Sequence, residues 1–305
     1  MTATRLEPDL WRLDLDFQGA PGVVAAFLIT DPSGHTLVET GPGSTLMTLE
    51  NAVHETGARL EDVNRIAVTH IHLDHAGASG SLLRMLPDAR LFVHPKGAAH
   101  MVDPSKLLHS AARIYGDRMD ALWGAFEPCP PDRVVALEDG AEVDCGSRTL
   151  VALHTPGHAS HHIAFHDADL RSAFTGDVGG VRLEGASYVR PPTPPPDIDV
   201  EAWHVSVDRL RSLGLRHLDL THFGRFSDPA PHLDALLRRL DDWTAWVAEH
   251  VALGETAESM AEQISVRSSA DIAAEVPDPA LARAYELATP SRMTIDGLTR
   301  YLSRK

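Results

Sequence analysis

Apolar and polar residues alternate along Leu10–Phe17, the two-residue period of a half-buried strand, and the run closes on the turn Gly19-Ala20-Pro21-Gly22. Val23–Ile29 is apolar throughout, as in a strand covered on both faces. After a turn at Asp31-Pro32-Ser33-Gly34, His35–Glu39 reads as a third strand and Thr45–Thr56 as a helix closed by Gly57. Arg65–Val68 predicts a short buried strand, Ser81–Leu86 a helix and Arg90–Val93 a strand. Strands are expected again at Arg133–Leu137, Ala141–Cys145, Arg148–His154, His162–His166 and Arg171–Thr175, with His217–Leu220 the last. Pro191–Pro196 must be extended, and Asp199–Leu213 reads as a helix burying Val200, Trp203, Val207 and Leu210.

Two segments depart from this rhythm. Residues 95–127 carry two predicted helices, Pro104–Tyr115 and Asp117–Phe126, crowded with large apolar groups. Such a helical insertion is a lid over a pocket, an oligomer face suited to a homodimer, or simple packing on the body. From Pro229 onward Leu233, Leu236, Leu237, Leu240, Trp243 and Val247 recur at three-to-four spacing. The pattern therefore predicts an α/β body over 1–227 and a helical extension over 228–305.

Charge and composition narrow the function. Lys+Arg number 27 and Asp+Glu 43, a formal charge of −16, which repels phosphate backbones and anionic lipid. Neither a nucleic-acid nor a membrane partner is expected. The N-terminal residues lack the apolar core of a signal peptide, and no run of 18 apolar residues occurs, so a cytoplasmic location is expected. Two cysteines, Cys129 and Cys145, make no disulfide framework. The histidines, 18 in all, are the anomaly.

His70, His72, Asp74 and His75 form H-x-H-x-D-H at the end of a predicted buried strand. Strand-like alternation sends His70 and His72 to one side, where both can reach one ion, while Asp74 and His75 can face a second. Three other strand ends carry ligand-type residues: Thr155-Pro156-Gly157-His158, Thr175-Gly176-Asp177 and Thr221-His222. Side chains at strand ends are those an α/β fold presents to a site. Each histidine alone reads as an ordinary core or surface residue; together they do not.

In these motifs the chain resembles the metallo-β-lactamase superfamily over about residues 8–226, and within it the glyoxalase II-like branch, whose Thr-Pro-Gly-His is matched by Thr155–His158. The resemblance implies a four-layer αβ/βα sandwich with metals at one edge between two sheets. It implies two divalent ions, zinc first, with iron or manganese as alternatives. His70, His72 and His158 would hold one ion, Asp74, His75 and His222 the other, and Asp177 would bridge them. The implied activity is metal-dependent hydrolysis of a small-molecule ester, thioester or lactone by a metal-bridging hydroxide, with Asp74 orienting it and taking its proton. A lactonase would carry a tyrosine soon after the bridging aspartate, where Val178-Gly179-Gly180 stand here; the glutathione-gripping basic residues of glyoxalase II are not evident among Arg238, Arg239 and Arg267. The alternatives of the same fold are a mononuclear iron persulfide dioxygenase, in which His222 would be idle, and a phosphodiesterase. Candidate substrate contacts are Tyr188 and Arg190 after the bridging aspartate, and Tyr115 and Trp123 in the insertion.

Overall fold

The computed structural model describes residues 2–305. Its first sheet runs in order β1 (Ala3–Glu7), β2 (Leu10–Asp14), β3 (Ala25–Ile29), β4 (His35–Val38), β5 (Val63–Ala67), β6 (Arg90–Val93) and β7 (Val134–Ala136). β1 to β4 pair antiparallel, and β4 to β7 pair parallel. The second sheet holds β8 (Glu142–Asp144), β9 (Thr149–His154), β10 (Ile163–Asp167), β11 (Ser172–Phe174), β12 (His217–Leu220) and β13 (Gly224–Phe226) in strand order, with only β11 and β12 parallel.

The two sheets face each other. In β3 the alternation divides one strand between two cores: Ala25, Phe27 and Ile29 meet Ile163, Phe165 and Phe174 of the second sheet, whereas Ala26 and Leu28 point outward. The outward face is covered by α1 (Leu46–Glu55), α2 (Leu73–Ala76), α3 (Ser79–Met85), α4 (Pro95–Val102), α5 (Ser105–Tyr115) and α6 (Met119–Trp123). The outer face of the second sheet is covered by α7 (Val200–Ser212), α8 (Pro229–Ala252), α9 (Ala257–Glu275) and α11 (Ser291–Leu302), with α10 (Pro279–Ala288) beside them. This is the expected four-layer αβ/βα sandwich.

Three local readings need correction. The strands β1 and β13 give no signal in the sequence, because β1 is partly exposed and β13 is three residues long, too short to show a period. The helix expected over Asp117–Phe126 is only Met119–Trp123, since Gly116 and Gly124 take positive φ at its two flanks. The segment 95–127 also contains α4, whose N-terminus is capped by the His94 ring and opened by Pro95.

The C-terminal helices are locked to the body by buried polar groups. Arg190, fully buried, donates from Nη1 to Glu286 (2.8 Å) and from Nη2 to Ser291 Oγ (2.9 Å), with its guanidinium 5.4 Å from the Trp243 ring. Tyr285 donates to the Tyr188 carbonyl at 2.6 Å and packs edge-on against its ring. Both contacts bind the segment after Asp177 to α10. Replacing Arg190 by alanine leaves a cavity and unpairs Glu286, so unfolding in urea should show a loss of about 3 kcal/mol.

Candidate metal centre

Five strands end at one edge, and each delivers a polar side chain there. β5 leads to Thr69, His70 and His72, β9 to His158, β11 to Asp177, β12 to His222, and β4 to Glu39. The edge is stitched across the two sheets by Ile163 N–H donating to the Thr69 carbonyl (2.7 Å) and Ala25 N–H to the Thr221 carbonyl (2.8 Å). Glycine is required beside two ligands. At Gly176 (φ +48) a Cβ would lie 2.4 Å from Thr69 Oγ1, and at Gly157 (φ +140) 2.4 Å from the Trp203 Cα.

The donors fall into two sets. His70, His72, His158 and Asp177 form one; Asp74, His75 and His222 form the other, with the donor atoms of each set within 4.8 Å of one another. His72 Nδ1 lies 2.9 Å from Nε2 of both His70 and His158. Asp177 stands between the sets. Its Oδ2 is 3.2 Å from His158 Nε2 and 4.0 Å from His70 Nε2, while its Oδ1 is 3.2 Å from His75 Nε2 and 3.5 Å from His222 Nε2. Asp74 closes the second set, 3.4 Å from His222 Nε2.

The remaining ring nitrogens are tied down, which fixes the tautomers. His158 Nδ1 donates to the Pro192 carbonyl and His222 Nδ1 to the Val23 carbonyl, both at 2.8 Å. His75 Nδ1 donates to Glu39 Oε1 at 3.0 Å, and His70 Nδ1 to Thr69 Oγ1 at 3.1 Å, whose own hydroxyl donates to Glu39. Four Nε2 lone pairs are thereby turned toward the cluster. Buried His75 Nε2 and Asp177 Oδ1 have no hydrogen-bond partner. Imidazole nitrogens and carboxylate oxygens without thiolate suit zinc, iron or manganese, so the residues fit metal ions.

Electrostatics point the same way. Burial pushes the His70 imidazole well below its ordinary range, helped by neighbouring histidines, and brings His72 to about 4. Burial alone would raise Asp74, yet His75 and His222 outweigh it and hold the carboxyl at about 2; the same contest puts Asp177 well below the usual carboxylate range. Burial also opposes protonation of His75 and His222, but Asp177 and Asp74 win and raise both. The two buried carboxylates thus stay ionised beside imidazoles drawn toward the protonated form.

Above the cluster lies a cavity of about 330 Å³. His72, Asp74, Asp177 and His222 form its floor, and Tyr115 and Trp123 stand in its wall. Tyr188 and Arg190 do not line it; they are buried under α8 and α10, and the chain after Asp177 passes beneath these helices before Pro192 and Pro194–Pro196 return to the cavity. Arg238, Arg239 and Arg267 border a separate groove on α8 and α9. Of the other histidines near His158, His162 has a supporting position: its Nδ1 is 2.9 Å from Thr155 Oγ1 and its Nε2 accepts from Val178 N–H at 3.4 Å. Burial pushes the Cys129 thiol up to about 12 and raises Cys145, so neither supplies a thiolate.

Glu39 escapes a reading of the sequence, although it too ends a strand, immediately before Thr40-Gly41-Pro42-Gly43. It is buried, takes φ +65, and receives hydrogen bonds from His75, Thr69 and Thr221. Glu39→Gln should weaken metal binding about 10- to 100-fold, measured by competition with a chelating dye. Because His75 and His222 are raised, a metal must displace protons from them. Affinity should therefore climb with pH through their titration, and calorimetry in buffers of different ionisation enthalpy should show proton release.

The family described as the Metallo-beta-lactamase superfamily matches residues 19–216. The metallo-beta-lactamase fold-containing protein ST1585 of Sulfurisphaera tokodaii is 30% identical over 171 residues, 55% of this chain and 63% of that one. A hydroxyacylglutathione hydrolase of Cereibacter sphaeroides is 32% identical over 50% of this chain and 46% of its own, and the human acyl-coenzyme A thioesterase MBLAC2 25% identical over 50% and 57%. The chain spans from 36% to 63% of the length of the first curated relatives it matches. A metallo-beta-lactamase family protein of Thermus thermophilus, TTHA1429, superposes with a TM-score of 0.71 over 98% of this chain and 95% of that one, at 23% identity. No helix among the described residues is long and apolar enough to cross a membrane. With the H-x-H-x-D-H edge assembled and the family matched over most of the body, the chain belongs to the metallo-β-lactamase superfamily.

Proposed function

We propose that this protein is a binuclear metallohydrolase that cleaves small-molecule thioesters or esters, lactones included. The observation that carries the reading is Asp177, whose two carboxylate oxygens face two separate donor sets on the floor of one cavity. Relatives named as a thioesterase and a hydroxyacylglutathione hydrolase put the acyl–sulfur bond first. When bound, two divalent ions, zinc first on this donor set, supply Lewis acidity to the scissile carbonyl and acidify water.

The chain's own residues do the rest. Asp74 is the most accessible carboxylate of the cluster, its side chain 20% exposed against 6% for Asp177. It accepts a hydrogen from the attacking water and orients it. Tyr115, its phenol raised by burial and by Asp74, stays protonated and donates a hydrogen bond to substrate in the cavity. Water oxygen bonds to the acyl carbon, the carbon–sulfur bond breaks, and the water proton passes to the departing thiolate, giving acid and thiol. A phosphodiester is a poorer fit, since Arg118 is the one arginine or lysine lining the cavity among the described residues.

Elemental analysis of protein purified without added metal or chelator should find about two ions per chain; one iron alone would favour the dioxygenase. Asp177→Ala should lose both ions and activity together. His222→Ala should lower thioester hydrolysis about 100-fold or more, whereas a mononuclear dioxygenase would keep its rate. A fully loaded, fully active His222→Ala protein would sink the binuclear mechanism.

A further inference from the structure

We infer that the cavity selects an apolar acyl group longer than acetyl, and that its selecting wall is built by the insertion and the C-terminal helices together; the inference rests on the hydrolase reading above. The wall has two sources. Phe17, Leu107, Ile114 and Trp123 come from the N-terminal half, Leu287 from the end of α10 and Met293 from the start of α11. Phe17 stacks on Trp123 with ring centroids 5.6 Å apart, and Tyr115 meets Trp123 edge-on at 5.0 Å, giving a continuous aromatic surface.

Away from the metal floor the polar groups of the cavity are Glu286, the exposed Arg118, Ser110, Thr289 and the Tyr115 hydroxyl. Glu286 is already occupied: it accepts from Arg190 at 2.8 Å, from Ser291 Oγ at 2.5 Å and from Ser291 N–H at 3.0 Å. Its work is to hold the α10–α11 turn in place, so Arg190 and Glu286 are positioning residues for the wall. Arg118, exposed, is the one arginine or lysine in the wall among the described residues, beside a lining led by Phe17, Leu107, Ile114, Trp123, Leu287 and Met293. An alkyl or aryl chain leaving water is what such a surface stabilises, at about fourfold per buried methylene.

The test uses acyl thioesters of N-acetylcysteamine, from acetyl to decanoyl, with the metal-loaded enzyme. The octanoyl kcat/KM should exceed the acetyl value about 100-fold, discounting incomplete burial of six methylenes. Ala111→Phe, from a buried lining position, and Ile114→Trp, from a 42% exposed one, both narrow the cavity and should lower the octanoyl-to-acetyl ratio at least about tenfold. The second variant guards against a folding failure in the first. Calorimetry supplies a readout independent of turnover: octanoate should bind more tightly than acetate, with a negative heat-capacity change, and Ala111→Phe should weaken it. Equal rates and equal binding along the series would overturn the acyl selection and leave the hydrolase intact. No hydrolysis of any thioester, with octanoate binding retained, would overturn the hydrolase and leave an apolar ligand site.

Discussion

A carboxylate as enclosed as that of Asp177 stays ionised only if positive charge stands next to it, and the molecule is organised around meeting that condition. Burial alone would neutralise the acid. Four imidazoles approach its two oxygens at 3.2 to 4.0 Å, two on each side. Two of them, His75 and His222, are pushed toward the protonated form, so protons balance the site wherever metal does not. Metal ions and protons compete for the same lone pairs, and the charge of the buried acids sets the terms of that competition.

Such a charge arrangement tolerates little rearrangement, and the fold supplies stiffness accordingly. The candidate ligands stand at or just after the ends of strands whose other residues are packed between sheets or against helices. One nitrogen of four rings in the cluster is held by a backbone carbonyl, by Thr69 or by Glu39. Glu39 carries an additional cost of about 1 kcal/mol or more for its left-handed backbone, which persists because three side chains fix its carboxylate.

What is legible in the sequence follows from these physical differences. The ligands are readable because each sits in a short local motif at a strand end, where the residue types alone state the chemistry. The layers are readable where strands are buried on two faces, as in β3. The supporting carbonyls of Val23 and Pro192 leave no side-chain signature, and Glu39 lies 31 positions before His70. Tyr188 and Arg190 follow the bridging aspartate closely in sequence, yet their environment is decided by α8 and α10, nearly a hundred residues later in the case of Glu286. Proximity along the chain predicts contact inside a motif and fails across a long-range packing interface.

The cavity wall shows the same division in a functional sense. The family match ends at residue 216, before His222 and before the facing ends of α10 and α11 that carry Glu286, Leu287 and Met293. Most of the polar floor therefore lies in the part of the chain that defines the family, while part of the cavity wall lies outside it. Charge balance at the floor leaves few alternatives, since moving any ligand strands a buried acid or imidazole. An apolar wall has no such constraint: a methyl group more or less on Ala111, Leu287 or Met293 alters the space by tens of cubic ångströms and leaves the electrostatics untouched. A fold that separates a rigid polar floor from an exchangeable apolar wall can keep one hydrolytic chemistry and change the molecule it is applied to.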